Sequence, residues 1–312
     1  MNKVLVTGGA GYIGSVLVPH LLEQGNQVTV IDNLMYSQVS LASSTPKPNF
    51  HFVKGDIRDF GLMRNLIKDA DVIIPLAAIV GAPACDKDPL LAQSVNHHAM
   101  KWLFENVSLN QQIIMPTTNS AYGQGEEGNF CDEKSPLNPL SLYAKDKVEV
   151  EKYLMNLPRA TSFRLATVFG VSPRMRLDLL VNNFAYRALT DRFLVIFEAH
   201  FKRNYIHLQD VVQAFSLALN SPDLFSGEIF NVGLSSANIS KWELCEEIRS
   251  TIAPEFTFME ASFGKDPDQR NYIVSNAKIE SRGFSPQISL RQGLLELKKA
   301  MPFFSHRSFS NI

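Results

Sequence analysis

Residues 3–14 read KVLVTGGAGYIG, a short apolar run followed by a turn that holds four glycines. The run has the length and composition of a buried β-strand, and the amphipathic segment from Tyr12 to Gln24 has the periodicity of a helix. The next segment, QVTVID at 27–32, is again typical of a strand. Because a strand, a glycine turn, a helix and a second strand form a βαβ unit, the chain is predicted to begin with parallel strands joined by helices.

The alternation of strands and helices continues to about residue 170. Strands separated by helices are typical of a parallel sheet with helices on both faces. We therefore predict an α/β fold, a Rossmann doubly wound parallel sheet, over residues 1–170. The further strands are expected at FHFVK (50–54), DVIIPLA (71–77), QQIIMPT (111–117) and TSFRLATVFG (161–170), and the helices near 59–69, 89–107 and 141–155.

The regular alternation is lost after residue 170. We predict that residues 171–312 form mainly a smaller mixed α/β lobe that binds the substrate, with some elements interleaved between the two units. The final PFFSHRSFSNI is expected to be a loosely packed tail. The lobe is expected to contain the short strands FLVIF and EIFNV, and helices near 176–189, 209–220, 240–251 and 289–300.

The composition favours a compact protein that acts on a small molecule. Of the 312 residues, 45% are hydrophobic, and 30 basic against 31 acidic residues give a net charge of −1. This balance provides no global field that would attract nucleic acid or an anionic membrane. The N-terminal MNKVLVTGGAGYIG is too rich in glycine for a signal peptide, and no run of about 18 apolar residues exists. We therefore expect a cytoplasmic protein.

The cysteines and histidines indicate neither disulfide bonds nor a metal site. The cysteines are odd in number, far apart and outside any C-x-x-C motif, so we expect three reduced thiols. The histidines show no metal-binding spacing, and we expect no bound metal. The residues concerned are Cys85, Cys131, Cys245, His97, His98, His200 and His207.

The glycine turn has the spacing of a dinucleotide-binding site. Gly9, Gly11 and Gly14 fit G-x-G-x-x-G, and a second pattern, G-x-x-G-x-x-G, begins at Gly8. Without side chains, the backbone can approach a pyrophosphate at the helix N-terminus. Asp32 ends the second strand about 20 residues on, where a carboxylate accepts from a ribose diol and repels the added phosphate of NADP. We predict NAD as the cofactor; the alternative is that the glycines only shape a tight turn.

Further cofactor contacts are expected near the carboxyl ends of the predicted strands. Asp56, in KGDIRD after the third strand, is a candidate contact to the adenine; the alternative is a solvated turn residue. The other expected contacts are Tyr12 and Ile13 in the glycine turn, Asn33, Ile57, and Leu76, Ala77, Ala78 and Val80 after the fourth strand.

Tyr143 and Lys147 are four residues apart in the helical segment SLYAKDKVEVEKYL, so both project from one helix face. A phenol with a pKa near ~10 is a poor base at neutral pH, but a nearby ammonium group and a nicotinamide ring would favour the phenolate. The pair could then remove a hydroxyl proton and contact the cofactor; the alternative is an ordinary surface pair. TTNSAYG (117–123) follows an apolar run and is either an ordinary turn or the floor of an active site.

Together these motifs resemble one enzyme family. TGGAGYIG, Asp32, TTNSAYG, YAKDK and RNYIHLQDV are similar to motifs of the extended short-chain dehydrogenase/reductases of the nucleotide-sugar epimerase/dehydratase family, and the resemblance covers nearly the whole chain. It implies that Thr118 hydrogen-bonds the reacting hydroxyl of a nucleotide-sugar, beside Tyr143 and Lys147. It also implies a homodimer, formed by the helices near 89–107 and 141–155.

The resemblance also bears on the reaction. Family members that eliminate water, the 4,6-dehydratases, carry Asp-Glu directly after this threonine, whereas here Asn119 and Ser120 follow it. Neither side chain is a general acid or base, which argues against dehydration. We therefore predict hydride removal at C4 of the sugar. Release of the resulting ketone makes the protein a dehydrogenase, whereas reduction from the other face makes it a 4-epimerase. A third alternative is enolisation of the ketone, which leads to epimerisation at neighbouring carbons.

A narrower resemblance concerns the sugar. NLMYSQVSL, PLAAIVGAP, RLATVFGVSPRMRLDLLVN, HFKRNYIH and DPDQRNYIVSN are similar to segments of the GDP-glycero-manno-heptose 4-dehydrogenases. This implies net oxidation at C4 during the synthesis of capsule or lipopolysaccharide sugars. A 4-epimerase that regenerates NAD and a non-catalytic NAD-sensing protein remain the alternatives, and the presence of Thr118, Tyr143 and Lys147 argues against the last.

The family resemblance also suggests residues that bind the substrate. Arg203 matches the arginine that family members place on the nucleotide diphosphate, where a planar guanidinium bonds phosphate oxygens. Asn182 lies where the family holds this diphosphate, whereas Thr167 stands where the family often has an asparagine. The other expected substrate contacts are Thr118, Asn119, Ser120, Arg174, Arg176 and Arg270; for each arginine the alternative is a solvated basic face.

Overall fold

A computed structural model describes residues 1–125, 128–264 and 270–304. Residues 266–269 of the motif DPDQRNYIVSN and residues 305–312 of the C-terminal PFFSHRSFSNI lie outside this description. The strands are β1 (Lys3–Thr7), β2 (Gln27–Asp32), β3 (Phe50–Lys54), β4 (Val72–Pro75), β5 (Gln112–Thr118), β6 (Phe130–Cys131), β7 (Ala160–Leu165), β8 (Thr167–Phe169), β9 (Phe193–Ile196), β10 (Lys202–His207), β11 (Glu228–Val232), β12 (Asn238–Ser240), β13 (Thr257–Glu260) and β14 (Ile273–Val274).

Among the residues described, no helix combines the length and the hydropathy that crossing a bilayer requires.

The helices lie mostly between these strands. The predicted helix over 89–107 consists of three consecutive pieces, because a π-helical segment, Ser94–His98, separates α4 (Pro89–Gln93) from α5 (Ala99–Asn106). The helices are α1 (Gly14–Glu23), α2 (Phe60–Lys68), α3 (Ala82–Lys87), α4 (Pro89–Gln93), α5 (Ala99–Asn106), α6 (Leu142–Leu154), α7 (Leu180–Thr190), α8 (Leu208–Asn220), α9 (Pro222–Phe225), α10 (Lys241–Thr251), α11 (Ala277–Glu280) and α12 (Leu290–Ala300).

The large sheet has seven parallel strands in the order β11-β7-β5-β4-β1-β2-β3. This confirms the predicted α/β fold with a doubly wound parallel sheet. The chain leaves β1 toward β2 and β3 on one side and later forms β4, β5 and β7 on the other, so the strand order reverses between β1 and β4. In such sheets, ligands bind outside the carboxyl ends of the strands at this reversal point.

The segment predicted as one strand over 161–170 is two strands in two sheets. β7 belongs to the large sheet, whereas β8 pairs with β10 in a three-stranded sheet of order β12-β10-β8. The break falls at Ala166, whose N–H donates to the carbonyl oxygen of Val232 at the end of β11 (2.9 Å). Because the chain leaves the large sheet after this bond, the prediction of a single strand was wrong.

The chain beyond residue 170 also contributes to the large sheet. β11 pairs with β7 and forms one edge of the sheet. α8 buries Val211, Phe215 and Leu219 in the same hydrophobic cluster as Val4 of β1 and Leu17 of α1. The domain boundary near residue 170 stays a prediction, and these two elements cross it.

A second hydrophobic core includes residues of the small sheets and of the helices that follow residue 170. Its helices are α7, α10 and α12, which bury Val181, Leu244 and Leu294 against one another. α7 begins at Leu180 rather than near residue 176, where it was expected. The later start leaves residues 170–179 as a loop between β8 and α7, and this loop carries two of the arginines predicted for the site.

Candidate active site

One cleft gathers most of the residues that the sequence predicted for the site. It opens at the carboxyl ends of β1 to β5, around the reversal point of the large sheet. Thr167, at the start of β8, also lines it. The predicted site residues in its wall are Gly8, Gly11, Tyr12, Ile13, Gly14, Asp32, Asn33, Asp56, Ile57, Leu76, Ala77, Ala78, Val80, Thr118, Ser120, Tyr143, Lys147, Arg174, Arg176 and Arg270.

The glycine turn passes so close to other backbone atoms that side chains do not fit. Gly8 has a φ of 66°, and a Cβ atom on it would lie 2.6 Å from the Cα of Ala77, just after β4. A Cβ atom on Gly14, the first residue of α1, would lie 2.4 Å from the carbonyl oxygen of Gly9. The turn therefore presents the N-terminus of α1 to the cleft without side chains over it, which suits a pyrophosphate.

Asp32 places a fixed carboxylate beside this turn. It accepts hydrogen bonds from the N–H of Ala10 (3.0 Å), the N–H of Leu34 (2.8 Å) and the side-chain amide of Gln38 (3.2 Å). Burial raises the pKa of Asp32, while the bonds from Leu34 and Ala10 act in the opposite direction. A carboxylate offers about four acceptor sites, so it can still accept from a ribose hydroxyl. The turn and Asp32 together fit NAD.

The neighbouring carboxylate, Asp56, is held by ionic and polar bonds. Arg58 donates to it from Nε (2.9 Å) and from a terminal nitrogen (2.8 Å), and Asn33 donates from its amide (3.3 Å). The Arg58 hydrogen bond is the main cause that lowers the pKa of Asp56 to about 2. Asp56 is therefore ionised and oriented at the end of β3, rather than a freely solvated turn residue.

The floor of the cleft is the 3₁₀ turn Asn119–Tyr122, which follows β5. Thr118 caps this turn, because its Oγ1 accepts from the N–H of Ser120 (3.1 Å) and its hydroxyl donates to the Oγ of Ser120 (2.8 Å). The guanidinium of Arg270 donates to the same Ser120 oxygen. The loop TTNSAYG thus brings two hydroxyl groups and a cation together in the cleft.

α6 carries Tyr143 and Lys147 into the same cleft. Ser141 begins the helix, and its Oγ accepts from the N–H of Ala144 (3.2 Å). Lys147 follows Tyr143 by one helical turn, and its ammonium group donates to the carbonyl oxygen of Pro116 in β5 (3.4 Å). The catalytic pair predicted from spacing therefore shares one helix face and one cavity.

The electrostatics of this pair differ from the expectation. Burial raises the pKa of Tyr143 to about 12, and the charges that act in the opposite direction belong to Arg176 and Arg270. Burial also lowers the pKa of Lys147 to about 8. The protein alone thus keeps the phenol protonated at neutral pH, because the cost of burying a charge exceeds the help of its neighbours. The positive nicotinamide ring is a further charge that favours the phenolate.

Asn182 was predicted to bind the substrate, but the structure places its side chain elsewhere. Its side chain is fully buried and does not line the cleft. The amide oxygen accepts from the N–H of Gly170 (3.1 Å), and the amide nitrogen donates to the hydroxyl of Tyr12 (3.2 Å) and the carbonyl of Arg176 (3.0 Å). These bonds engage the amide within the protein, so it does not face a substrate diphosphate.

Arg203 and Asn119 also differ from the prediction. Arg203 lies on the middle strand of the three-stranded sheet, is 2% exposed, and is not among the described residues that line the cleft. Asn119 is fully buried at the start of the floor turn, and neither atom of its amide has a hydrogen-bond partner within the described part of the chain. The expected substrate contacts of these two side chains therefore do not follow from this arrangement.

Several lining residues escaped the sequence analysis, including Tyr36, Arg58 and Tyr272. Arg58 follows Asp56 by two residues, and this Asp-x-Arg spacing was a usable signal for the ion pair. The sequence near Tyr36 does not indicate that it lines the cleft. Tyr36 reaches the cleft because the loop after β2 is folded, and Leu34 and Ser37 in this loop have φ values of 55° and 51°. Within the residues described, no cluster of three or more His, Cys, Asp or Glu side chains could hold a metal ion.

The comparison with known proteins decides the family. The sequence profile of the NAD dependent epimerase/dehydratase family matches residues 4–233. The chain belongs to this family. The match spans the glycine turn, Asp32, the floor turn and the Tyr143–Lys147 pair. The protein is therefore an enzyme of an NAD-dependent family, as its glycine turn and Asp32 predicted, and the resemblance to the extended short-chain dehydrogenase/reductases is confirmed.

Relatives in this family act on different sugars. The chain is 31% identical to the UDP-glucose 4-epimerase of Mycolicibacterium smegmatis over 321 residues, which cover 98% of this chain and 99% of that protein. It is 30% identical to the low-salt glycan biosynthesis protein Agl12 of Haloferax volcanii, with 93% and 96% covered. The structure of UDP-glucuronic acid 4-epimerase from Bacillus cereus, in complex with UDP-glucuronic acid and NAD, matches with a TM-score of 0.84 at 25% identity, covering 96% and 99%.

Proposed function

We propose that the protein oxidises a nucleotide-linked sugar at C4 with NAD, and that the sugar is a GDP-linked heptose destined for a surface polysaccharide. The arrangement of Thr118, Tyr143 and Lys147 around one cleft supports oxidation of a hydroxyl group. The same arrangement argues against a non-catalytic NAD-sensing protein, which would not require a half-buried phenol and a buried ammonium group in the wall of one cleft.

The three side chains have distinct roles in this proposal. Thr118 hydrogen-bonds the reacting hydroxyl and holds it beside Tyr143. To donate this bond, the Thr118 hydroxyl turns away from the Oγ of Ser120. The Tyr143 phenolate removes the hydroxyl proton while the C4 hydrogen leaves as hydride. NAD, when bound, accepts that hydride. Lys147 supplies positive charge to the cleft that Tyr143 also lines, and its contact with Pro116 holds its ammonium group in place. The products are a 4-keto sugar, NADH and a protonated Tyr143.

The choice of oxidation over dehydration rests on the acids in the cleft. Among the described residues that line it, the carboxylates are Asp32 and Asp56. Both lie at the ends of β2 and β3, on the side of the cofactor ribose, and the floor carries Ser120 and Arg270 instead. Elimination of water needs a general acid at the leaving oxygen. The floor contains hydroxyl groups and a guanidinium, which bind oxygen atoms but are poor proton donors at neutral pH.

The choice of a GDP-linked heptose rests on the sequence resemblance. The loop segments NLMYSQVSL and RLATVFGVSPRMRLDLLVN, which carry that resemblance, contribute Tyr36, Arg174 and Arg176 to the wall of the cleft. A sugar with additional hydroxyl groups beyond C5 would find hydrogen-bond partners at Ser120 and Arg270, on the floor.

A 4-epimerase is the second candidate, favoured by the 31% identity to a UDP-glucose 4-epimerase. The same three residues serve both reactions, because an epimerase also begins by oxidising C4. The reactions differ in the fate of the cofactor. Addition of GDP-, UDP- or dTDP-linked sugars to the protein and NAD, followed by absorbance of NADH, separates the two. Stoichiometric NADH supports the dehydrogenase, and turnover of sugar without NADH supports the epimerase.

We further propose a homodimer that forms through α4, α5 and α6. Leu90 of α4 is 81% exposed, and Lys101 of α5 lies over the ring of Tyr153 in α6 at 5.0 Å. Adjacent helices with partly exposed apolar groups suit a two-fold four-helix contact. Sedimentation of the protein at micromolar concentration should show a dimer, and Leu90→Glu should shift it toward the monomer; a monomer at all concentrations would contradict the proposal.

A further inference from the structure

The loop between β8 and α7 is tied directly to the glycine turn. The hydroxyl of Tyr12 donates to the carbonyl oxygen of Gly170 (2.7 Å), and the hydroxyl of Ser172 donates to the carbonyl oxygen of Tyr12 (2.8 Å). The hydroxyl groups of Ser15 and Ser172 also lie 2.8 Å apart. Residues 170–176, which we call the arginine segment, are therefore fixed against the turn that receives the cofactor pyrophosphate.

The amide of Asn182 completes this attachment from the other side. It bonds the N–H of Gly170, the carbonyl of Arg176 and the hydroxyl of Tyr12. Its bonds thus reach both ends of the arginine segment and the glycine turn at once. The position of the segment is set by the cofactor-binding wall, although the segment belongs to the part of the chain predicted to bind the substrate.

Arg174 lies on the cofactor side of the cleft as a result. Its N–H is 3.4 Å from the Oγ of Ser15, the second residue of α1. Its guanidinium lies over the ring of Tyr36 (4.8 Å) and donates to the carbonyl of Met175 (2.7 Å). Since Tyr36 follows Asp32 by four residues, the side chain runs from the start of α1 toward the loop that follows the ribose-binding carboxylate. In this fold the pyrophosphate of a dinucleotide sits at the N-terminus of the first helix, where this side chain begins.

The charges around Arg174 favour an anion. Arg174 is 6% exposed, and Arg176, two residues on, is 8% exposed. Arg176 is paired with Asp178 through Nε (3.1 and 3.2 Å). Burial, and then the charge of Arg176, lower the pKa of Arg174. A phosphate oxygen near the two guanidinium groups would relieve this repulsion.

We propose that Arg174 binds the diphosphate of NAD, from the arginine segment that lies beside the glycine turn. The dinucleotide is then held between the N-terminus of α1 and a guanidinium delivered by the arginine segment. This assignment differs from the contact to the substrate diphosphate that the sequence suggested for Arg174. It depends on the NAD-dependent family and not on which sugar is oxidised.

The test compares Arg174→Gln with a matched control, Arg187→Gln. Arg187 is partly exposed on α7, pairs with Asp191 and is not among the described residues that line the cleft, so its loss removes the same charge outside the cleft wall. Calorimetric titration with NAD should show a dissociation constant raised about 10- to 100-fold in Arg174→Gln, the effect of losing one charge-assisted hydrogen bond, and an unchanged constant in the control. Thermal unfolding of both variants checks that they are folded.

Titration with GDP is the second part of the test, and the choice of GDP rests on the proposed function. GDP affinity should be the same in Arg174→Gln and the unmodified protein. Weaker GDP binding with intact NAD binding would overturn the proposal and return Arg174 to the substrate site. An equal loss of affinity for NAD and GDP, or no change in either affinity, would overturn the proposal as well. If GDP binds neither protein, the nucleotide assignment fails while the NAD titration still decides the role of Arg174.

Tyr36 provides an independent check, because its ring supports the Arg174 guanidinium. Tyr36→Phe keeps the aromatic face and should leave the NAD dissociation constant unchanged, whereas Tyr36→Leu removes it and should raise that constant several-fold. In the Arg174→Gln background the Tyr36→Leu change should have no further effect. Additive effects of the two substitutions would show that Tyr36 acts on NAD without Arg174 and would contradict the proposed arrangement.

Discussion

The ammonium group of Lys147 lies 3.4 Å from the carbonyl oxygen of Pro116, two residues before Thr118 at the end of the same strand. A cation is thereby buried in the wall of the cleft, with a backbone carbonyl as its hydrogen-bond partner. Burial lowers the pKa of Lys147 from 10.5 to about 8. The unfolded chain therefore holds this proton between about pH 8 and 10.5, whereas the folded protein releases it.

The sign of the resulting pH dependence follows from this difference. In that pH window the unfolded state binds more protons than the folded state. The contribution of Lys147 therefore increases the free energy of unfolding as the pH rises, by at most about 1.4 kcal/mol per pH unit. Lys147→Met should be more stable than the unmodified protein at pH 7, and the difference should shrink between pH 8 and 10. Thermal unfolding across this range measures it, and a gap independent of pH would contradict the lowered pKa.

Tyr143→Phe tests the proposed base. The variant should fold and bind NAD normally while turnover falls by ~10²-fold or more, since only the phenol oxygen is lost. Tyr122→Phe is the matched control: its hydroxyl donates to Asn231 (2.7 Å) and accepts from Arg164 (3.1 Å) inside the protein. This control should lose about 1–3 kcal/mol of stability and keep its turnover. The reverse result would mean that Tyr122 is the base.

Asp32 should decide the choice between NAD and NADP. The unmodified protein should bind NAD much more tightly than NADP, because the buried carboxylate would face the added phosphate. Asp32→Ala should reduce the difference in affinity between NAD and NADP, because it weakens the binding of NAD and removes the repulsion of the added phosphate of NADP. Equal affinity of the unmodified protein for both nucleotides, measured by calorimetry, would refute the role given to Asp32.

Gly14→Ala should weaken cofactor binding by geometry alone. A Cβ atom at this position would lie 2.4 Å from the carbonyl oxygen of Gly9, so the turn must open and lose its fit to the pyrophosphate. Gly61→Ala is the control, because a Cβ atom there meets its nearest neighbour, Asp59 Oδ1, only at 3.5 Å. We expect at least a ~10-fold loss of NAD affinity for the first variant and none for the second. Normal NAD binding by Gly14→Ala would disprove the tight turn.

The sequence was a good guide wherever the structure depends on neighbouring residues. β5 is buried at every position, and its continuous apolar run predicted a central parallel strand. The glycine turn, Asp32 and the spacing of Tyr143 and Lys147 are equally local, and all of them reach the cleft.

The failures concern contacts between distant parts of the chain. The break between β7 and β8 at Ala166 depends on a hydrogen bond to Val232. The sequence near residue 166 does not indicate this break. Asn182 is engaged by Tyr12 and Gly170, so its role could not be inferred from the helix start in which it lies. The raised pKa of Tyr143 likewise reflects burial by the whole fold, whereas the sequence revealed only the nearby charge of Lys147.

Mass spectrometry of the sugar product tests the central claim most directly. The protein is incubated with stoichiometric NAD and a GDP-linked heptose, and the product is analysed before and after treatment with borodeuteride. We predict a sugar lighter than the substrate by two hydrogen atoms, which takes up deuterium on reduction, together with one NADH for each sugar oxidised. A product lighter by one water, or an isomer of unchanged mass formed with catalytic NAD, would contradict net oxidation at C4.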